Sequence, residues 1–132
     1  MIALLDTSVL VRYLTGEPPD QAERASTLIE GKQELRVPVI AVIETAYVLT
    51  SVYGVERARV VDVLIELLAR ANIATHEFPR ERVTEALGLC RHSGRVSFAD
   101  ALIWVSAAHV DAEVFTFDQR FPSTLITRRL LA

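Results

Sequence analysis

The sequence predicts an α/β fold: three layers, α/β/α, around a central and mainly parallel sheet. Short apolar runs alternate with longer stretches of helical period, singly or in pairs, which is the pattern of strands joined by covering helices. No linker, repeat or low-complexity segment breaks this pattern, and 132 residues suit one domain, residues 1–132.

Residues 2–5 form an apolar run that ends at Asp6 and reads as a fully buried strand. Thr7 or Ser8 can cap a helix carrying Val9, Leu10, Tyr13 and Leu14, which stops near Gly16. Pro18 and Pro19 break the chain. Asp20 then leads into a second helix with Ala22, Ala25, Leu28 and Ile29 at helical spacing, closed by Gly31. Residues 35–37 read as a strand, and Pro38 opens a long apolar helix through Glu44 to about Tyr53, before Gly54. An amphipathic helix over about 56–70 places Val60, Val63, Leu64, Leu67 and Leu68 on one face. Residues 73–78 read as a strand, and Pro79 suits the first turn of a helix running to about His92. Ser97 starts the next helix, through Asp100, Ile103, Trp104 and Ala107. Residues 113–117 form a strand ending at Asp118, and 125–127 a short edge strand.

Composition narrows the function. Hydrophobic residues make up 51% and charged residues 23%, enough to bury a core. No apolar run approaches the ~20 residues that span a bilayer, and Asp6 interrupts the only apolar run near the start, so a membrane anchor and a signal peptide are not expected. The expected location is the cytoplasm. Cys90 is the single cysteine, which excludes an internal disulfide and a multi-cysteine zinc site. A net charge of −3 argues against binding nucleic acid through a strongly basic surface. It leaves room for a nuclease, because a carboxylate site that holds cations is itself acidic.

The acids fall at informative places. In open α/β sheets ligands bind beyond the carboxyl ends of the strands. Asp6 and Asp118 each follow an apolar run directly, so both are expected at that edge. Asp100 lies in the first turn of the helix opened by Ser97, and Glu44 lies early in the helix opened by Pro38, within an apolar run expected to be buried. Two unit charges about 5 Å apart repel by roughly 3 kcal/mol at an effective dielectric of ~20. Four such carboxylates would repel by up to about 20 kcal/mol, more than the ~5–15 kcal/mol stability of a typical domain. A converged cluster would have to share protons or bind a cation, and oxygen ligands favour Mg²⁺ or Mn²⁺. Each acid also has a plainer role: Asp100 completes a capping box with Ser97, Asp6 can cap a helix, Glu44 can pair with Arg12, and Asp118 can start a turn.

These segments resemble the PIN domain, and in particular the toxin ribonucleases of VapC type. The resemblance lies in Leu4-Leu5-Asp6-Thr7-Ser8-Val9-Leu10, in Val42-Ile43-Glu44 followed by Val48-Leu49, in Phe98-Ala99-Asp100-Ala101-Leu102-Ile103, and in Val114-Phe115-Thr116-Phe117-Asp118-Gln119-Arg120-Phe121. They span nearly the whole chain. The resemblance implies a sheet of about five parallel strands and an Mg²⁺- or Mn²⁺-requiring endoribonuclease that leaves 5′-phosphate and 3′-hydroxyl ends. It matches Asp6, Glu44, Asp100 and Asp118 to the family's acidic quartet, and Thr7 or Ser8 and Thr116 to supporting polar positions. It implies a homodimer held inactive by a cognate antitoxin, with transfer RNA or ribosomal RNA as substrate. Trp104 stands where the family commonly has a small residue, and it either narrows the groove or fills core.

Arg12, Arg91 and Arg95 are candidates for contacting substrate phosphate, with solvated surface as the plainer role. His76, His92 and His109 lack metal-ligand spacing. Tyr47, Tyr53, Phe78 and Trp104 read as core or dimer interface. A phosphoacceptor receiver domain would need a late lysine, but Lys32 is the only one. A haloacid-dehalogenase phosphatase would need Asp-x-Asp, whereas Asp6 precedes Thr7 and Ser8. A PIN nuclease of RNA processing or decay without an antitoxin, and a non-catalytic PIN-like scaffold, are the remaining alternatives.

Overall fold

The structure is a computed structural model that describes residues 1–123 and 126–131. Among these the elements are α1 (Thr7–Thr15), α2 (Pro19–Ile29), β1 (Leu35–Pro38), α3 (Val39–Ser51), α4 (Arg57–Leu68), β2 (Ile73–His76), α5 (Arg80–Cys90), α6 (Phe98–Val110), β3 (Glu113–Thr116) and β4 (Thr127–Leu130). The alternation of helices with short parallel strands bears out the α/β class.

The extended residues at the start pair with β1. Leu4 bridges to Arg36 in parallel, Leu5 N–H donates to the Arg36 carbonyl at 2.9 Å, and Arg36 N–H donates to the Ala3 carbonyl at 2.8 Å. Because successive backbone groups of a strand point to opposite sides, Leu35 and Val37 are free to serve β2, which runs parallel in the register Leu35↔Ile73 to Pro38↔His76. β1 therefore lies between residues 3–5 and β2, with all three carboxyl ends at one edge. β3 and β4 form a second parallel pair, Glu113↔Thr127 to Thr116↔Leu130.

A continuous sheet of five strands is not among the pairings of the described residues, which form two parallel two-stranded sheets with the Leu4 bridge added to the first. The opening run also differs from the fully buried strand expected. Leu5 is buried, but Ile2 is 55% and Leu4 51% exposed. With one bridge to β1 the run is too short to sustain a ladder, and alternate side chains leave the core. The expected edge strand at 125–127 begins outside the described residues; β4 starts at Thr127.

Helix boundaries follow capping chemistry. Asp6, rather than Thr7 or Ser8, caps α1: its backbone is extended (φ −78°, ψ 154°) and its side chain accepts the Ser8 N–H. Gly16 closes α1 in the left-handed region at φ 75°, a conformation that costs glycine nothing. α2 starts on Pro19 and ends at Ile29, short of Gly31. α3 follows Pro38 and stops at Ser51. β2 ends where Glu77 takes a positive φ of 79°, two residues before the strand end expected from the apolar run.

One core joins the elements. Leu10, Ile29, Val37, Val42, Leu64 and Ile73 are at most 1% exposed. Trp104 is also buried in this cluster, so of its two expected roles the structure gives it the filling of core. Phe78 packs against the core, whereas Tyr47 and Tyr53 are exposed. α3 packs against α1, α4 and α6, and α5 packs against α4 and α6. That central position of α3 is what matters for the acids.

Candidate active site

Asp6 leaves the carboxyl edge of residues 3–5 and stands at the positive end of α1. Its Oδ2 accepts the Ser8 hydroxyl at 2.6 Å and the Ser8 N–H at 3.2 Å. These two bonds favour the ionised form and hold the carboxyl below its ordinary pKa, with smaller help from the Thr7 N–H and the charge of Arg12. Ser8 thus buttresses Asp6.

Asp118 is built the same way two residues beyond β3, which ends at Thr116, one residue short of the strand expected over 113–117. Its own N–H donates to the Thr116 hydroxyl at 2.9 Å, and its Oδ1 accepts the Arg120 N–H at 2.8 Å and Arg120 Nε at 3.4 Å. The Arg120 backbone bond is the main reason its carboxyl sits below the ordinary range. No other carboxylate is among the leading causes for either acid. The mutual repulsion expected from the sequence assumed a separation of about 5 Å, and local hydrogen bonds govern both groups instead.

Asp100 occupies the first turn of α6. The Ser97 hydroxyl accepts its N–H at 3.0 Å, so the hydroxyl half of the expected capping box is formed. Replacing Ser97 by alanine should lower stability by about 1 kcal/mol in urea unfolding. An unchanged midpoint would mean the bond carries no weight.

Glu44 is the acid that sequence reasoning misplaced. It is exposed rather than buried. α3 buries Val39, Ala41, Val42, Thr45, Ala46 and Leu49, while Ile40, Glu44 and Tyr47 follow at i, i+4 and i+7 on the outer face. Ile40 is 77% and Tyr47 64% exposed. An apolar helix hides its solvent face from a pattern reading because apolar residues occupy that face too. The expected pairing with Arg12 is not among the ion pairs of the described residues, and Arg12 instead hydrogen-bonds Gln21 and the Ser8 carbonyl.

Glu44 lines a largely apolar pocket of about 450 Å³ that also includes Ile40, Tyr47, Arg57, Ser97, Phe98 and Ala99. The start of α6, with Asp100 one residue beyond, is therefore beside Glu44. α3 also packs on α1, which Asp6 caps. α3, which carries Glu44, thus packs against both α1, capped by Asp6, and α6, which carries Asp100. Asp118 is placed only on the β3 side, through the packing of α6 on β3.

Of the arginines, Arg91 is ion-paired with Asp62 of α4, and Arg95 is exposed. Arg57 was missed altogether. Its guanidinium lies 4.5 Å from the Phe98 ring centroid, and Nε donates to the Cys90 carbonyl at 2.7 Å. Cys90 itself is buried, and burial pushes its thiol pKa up, which makes it a poor nucleophile.

The donor chemistry suits a hard divalent cation, since Asp6 and Asp118 offer carboxylate oxygens with lowered pKa and the other two candidates are also carboxylates. Among the described residues no three His, Cys, Asp or Glu side chains are grouped closely enough to hold a metal.

No described helix is long and apolar enough to cross a membrane. No curated protein matches the chain at a significant level. The PIN domain family matches residues 3–124, from the strand-like run before Asp6 to beyond Asp118. PIN domains are generally nucleases, a class to which acids at strand ends and helix starts of an α/β fold are suited. With nearly its whole length covered by that match, the chain belongs to the PIN domain family.

Proposed function

We propose that this chain is an Mg²⁺- or Mn²⁺-dependent endoribonuclease and the toxin of a VapC-type toxin–antitoxin pair. The observation that carries the reading is the packing of α3 against both α1 and α6, elements that hold Glu44, Asp6 and Asp100, in a chain of the PIN family. Asp6 and Asp100 would hold the cation directly, and Glu44 and Asp118 would hold it through water or hold a second one. When bound, such a cation would supply charge neutralisation at the phosphoryl oxygens and lower the pKa of an attacking water. Ser8 fixes the Asp6 carboxylate, and Thr116 fixes the backbone of Asp118. Arg12 and Arg95 contribute positive charge toward substrate phosphates, whereas the charge of Arg91 is already met by Asp62.

Homodimer formation and an antitoxin belong to the same reading. It is supported by large apolar side chains left exposed on the outer face of α3, on β3, where Phe115 is 62% exposed, and just beyond it, where Phe117 is 72% exposed. The purified protein should cleave structured RNA, lose that activity in EDTA and regain it with Mn²⁺. Cleavage that persists in EDTA, or no cleavage of any structured RNA, would overturn the proposal. Coexpression with the product of a short neighbouring reading frame should suppress cleavage in cells.

A further inference from the structure

Arg57 opens α4, 33 residues before Cys90, yet its side chain reaches the segment that precedes Asp100. Nε donates to the carbonyl of Cys90, the last residue of α5, at 2.7 Å. Nη2 donates to the carbonyl of Val96, the residue before the Ser97 cap. The guanidinium plane also covers the ring of Phe98, the first residue of α6, 4.5 Å from its centroid. One side chain thus ties both ends of the connection 91–96 and grips the first turn of α6.

From this geometry we infer that Arg57 is a positioning residue for the metal site, acting through α6 to set Asp100. The inference rests on the proposed function for its metal, but the clamp is defined without it. The connection contains Gly94 and the exposed His92 and Arg95, and its other anchors are the Arg91–Asp62 ion pair and the buried Val96, which Arg57 joins in fixing where α6 begins. The fork of a guanidinium can serve two carbonyls while its face covers a ring; a lysine ammonium cannot reproduce that combination. Held this way, Ser97 is placed to accept the Asp100 N–H, and the carboxylate one turn into α6 inherits the position. Arg57 also lines the pocket beside Glu44, so the same clamp fixes the α6 wall that faces α3. Supporting groups of this kind usually contribute about 10- to 100-fold to metal affinity.

Two measurements on Arg57→Lys test the clamp. In the metal-free protein, amide exchange at Asp100 and Ala101 should quicken at least about tenfold, while amides of the buried Leu64 and Val105 keep their wild-type rates. By calorimetry, the Mn²⁺ dissociation constant should rise at least about tenfold. Phe98→Leu, which removes the ring but leaves both carbonyl acceptors, should show a smaller change at the same amides and serves if Arg57→Lys does not fold. Unchanged exchange at Asp100 and Ala101, or acceleration spread equally through the core, would overturn the clamp. Wild-type protein that binds no Mn²⁺ would overturn the proposed function instead, and the exchange comparison would still decide the clamp.

Discussion

Asp6→Asn is expected to cut metal-dependent RNA cleavage by at least about a hundredfold, beyond the loss typical of an outer-sphere partner, while leaving the fold intact. The separation of the two effects follows from the geometry of α1. Asp6 caps the helix through one oxygen, which takes the Ser8 N–H and hydroxyl. Asparagine keeps a carbonyl oxygen in that place and ranks with aspartate as a cap. What it loses is the negative charge that the Ser8 bonds hold in the ionised form. A neutral amide is a poor ligand for a hard cation that must still gather phosphate oxygens. Asp6→Ala should lose activity and lower Tm as well, because the cap is gone. Full activity in Asp6→Asn would remove Asp6 from the site. A Tm for Asp6→Asn as low as that of Asp6→Ala would show that the cap needs the charge.

Leu64→Ala should destabilise the domain by about 2–5 kcal/mol in urea unfolding. Leu64 is 0% exposed on α4, which packs against α3, α5 and β2. The truncation removes transfer energy and leaves a cavity where three helices meet, so little collapse is available to fill it. Against a typical ~5–15 kcal/mol for a domain, that is a large share of the total. Leu64→Met, which conserves volume, should cost under about 1.5 kcal/mol. A loss below about 1 kcal/mol for the alanine variant would contradict this packing of α4.

The helices were the most legible part of the sequence. Their starts are marked by residues with a local role, Pro38 before α3, Pro79 before α5 and Ser97 before α6, and local chemistry can be read from neighbours in the chain. The start of α1 lies one or two residues before the expected cap at Thr7 or Ser8, because Asp6, Thr7 and Ser8 are all good caps and only the extended backbone of Asp6 separates them. The apolar run at 2–5 was read as fully buried because four apolar residues look alike from either face; pairing decides which face is covered.

At the site, the positions of Asp6 and Asp118 at strand ends were legible, and so was Asp100 beside its cap. Glu44 was named for the wrong reason: its exposure depends on which side of α3 meets α1, α4 and α6. Arg57 was invisible because its acceptors lie 33 and 39 residues away. Such a contact exists only once α4, α5 and α6 have packed, and no local pattern announces it.

The most direct measurement is anomalous diffraction from crystals grown with Mn²⁺. We predict a single region of anomalous density bound by the carboxylates of Asp6 and Asp100, with Glu44 and Asp118 turned toward it. Density held elsewhere, or any two of the four acids on opposite sides of the molecule, would contradict a shared carboxylate site.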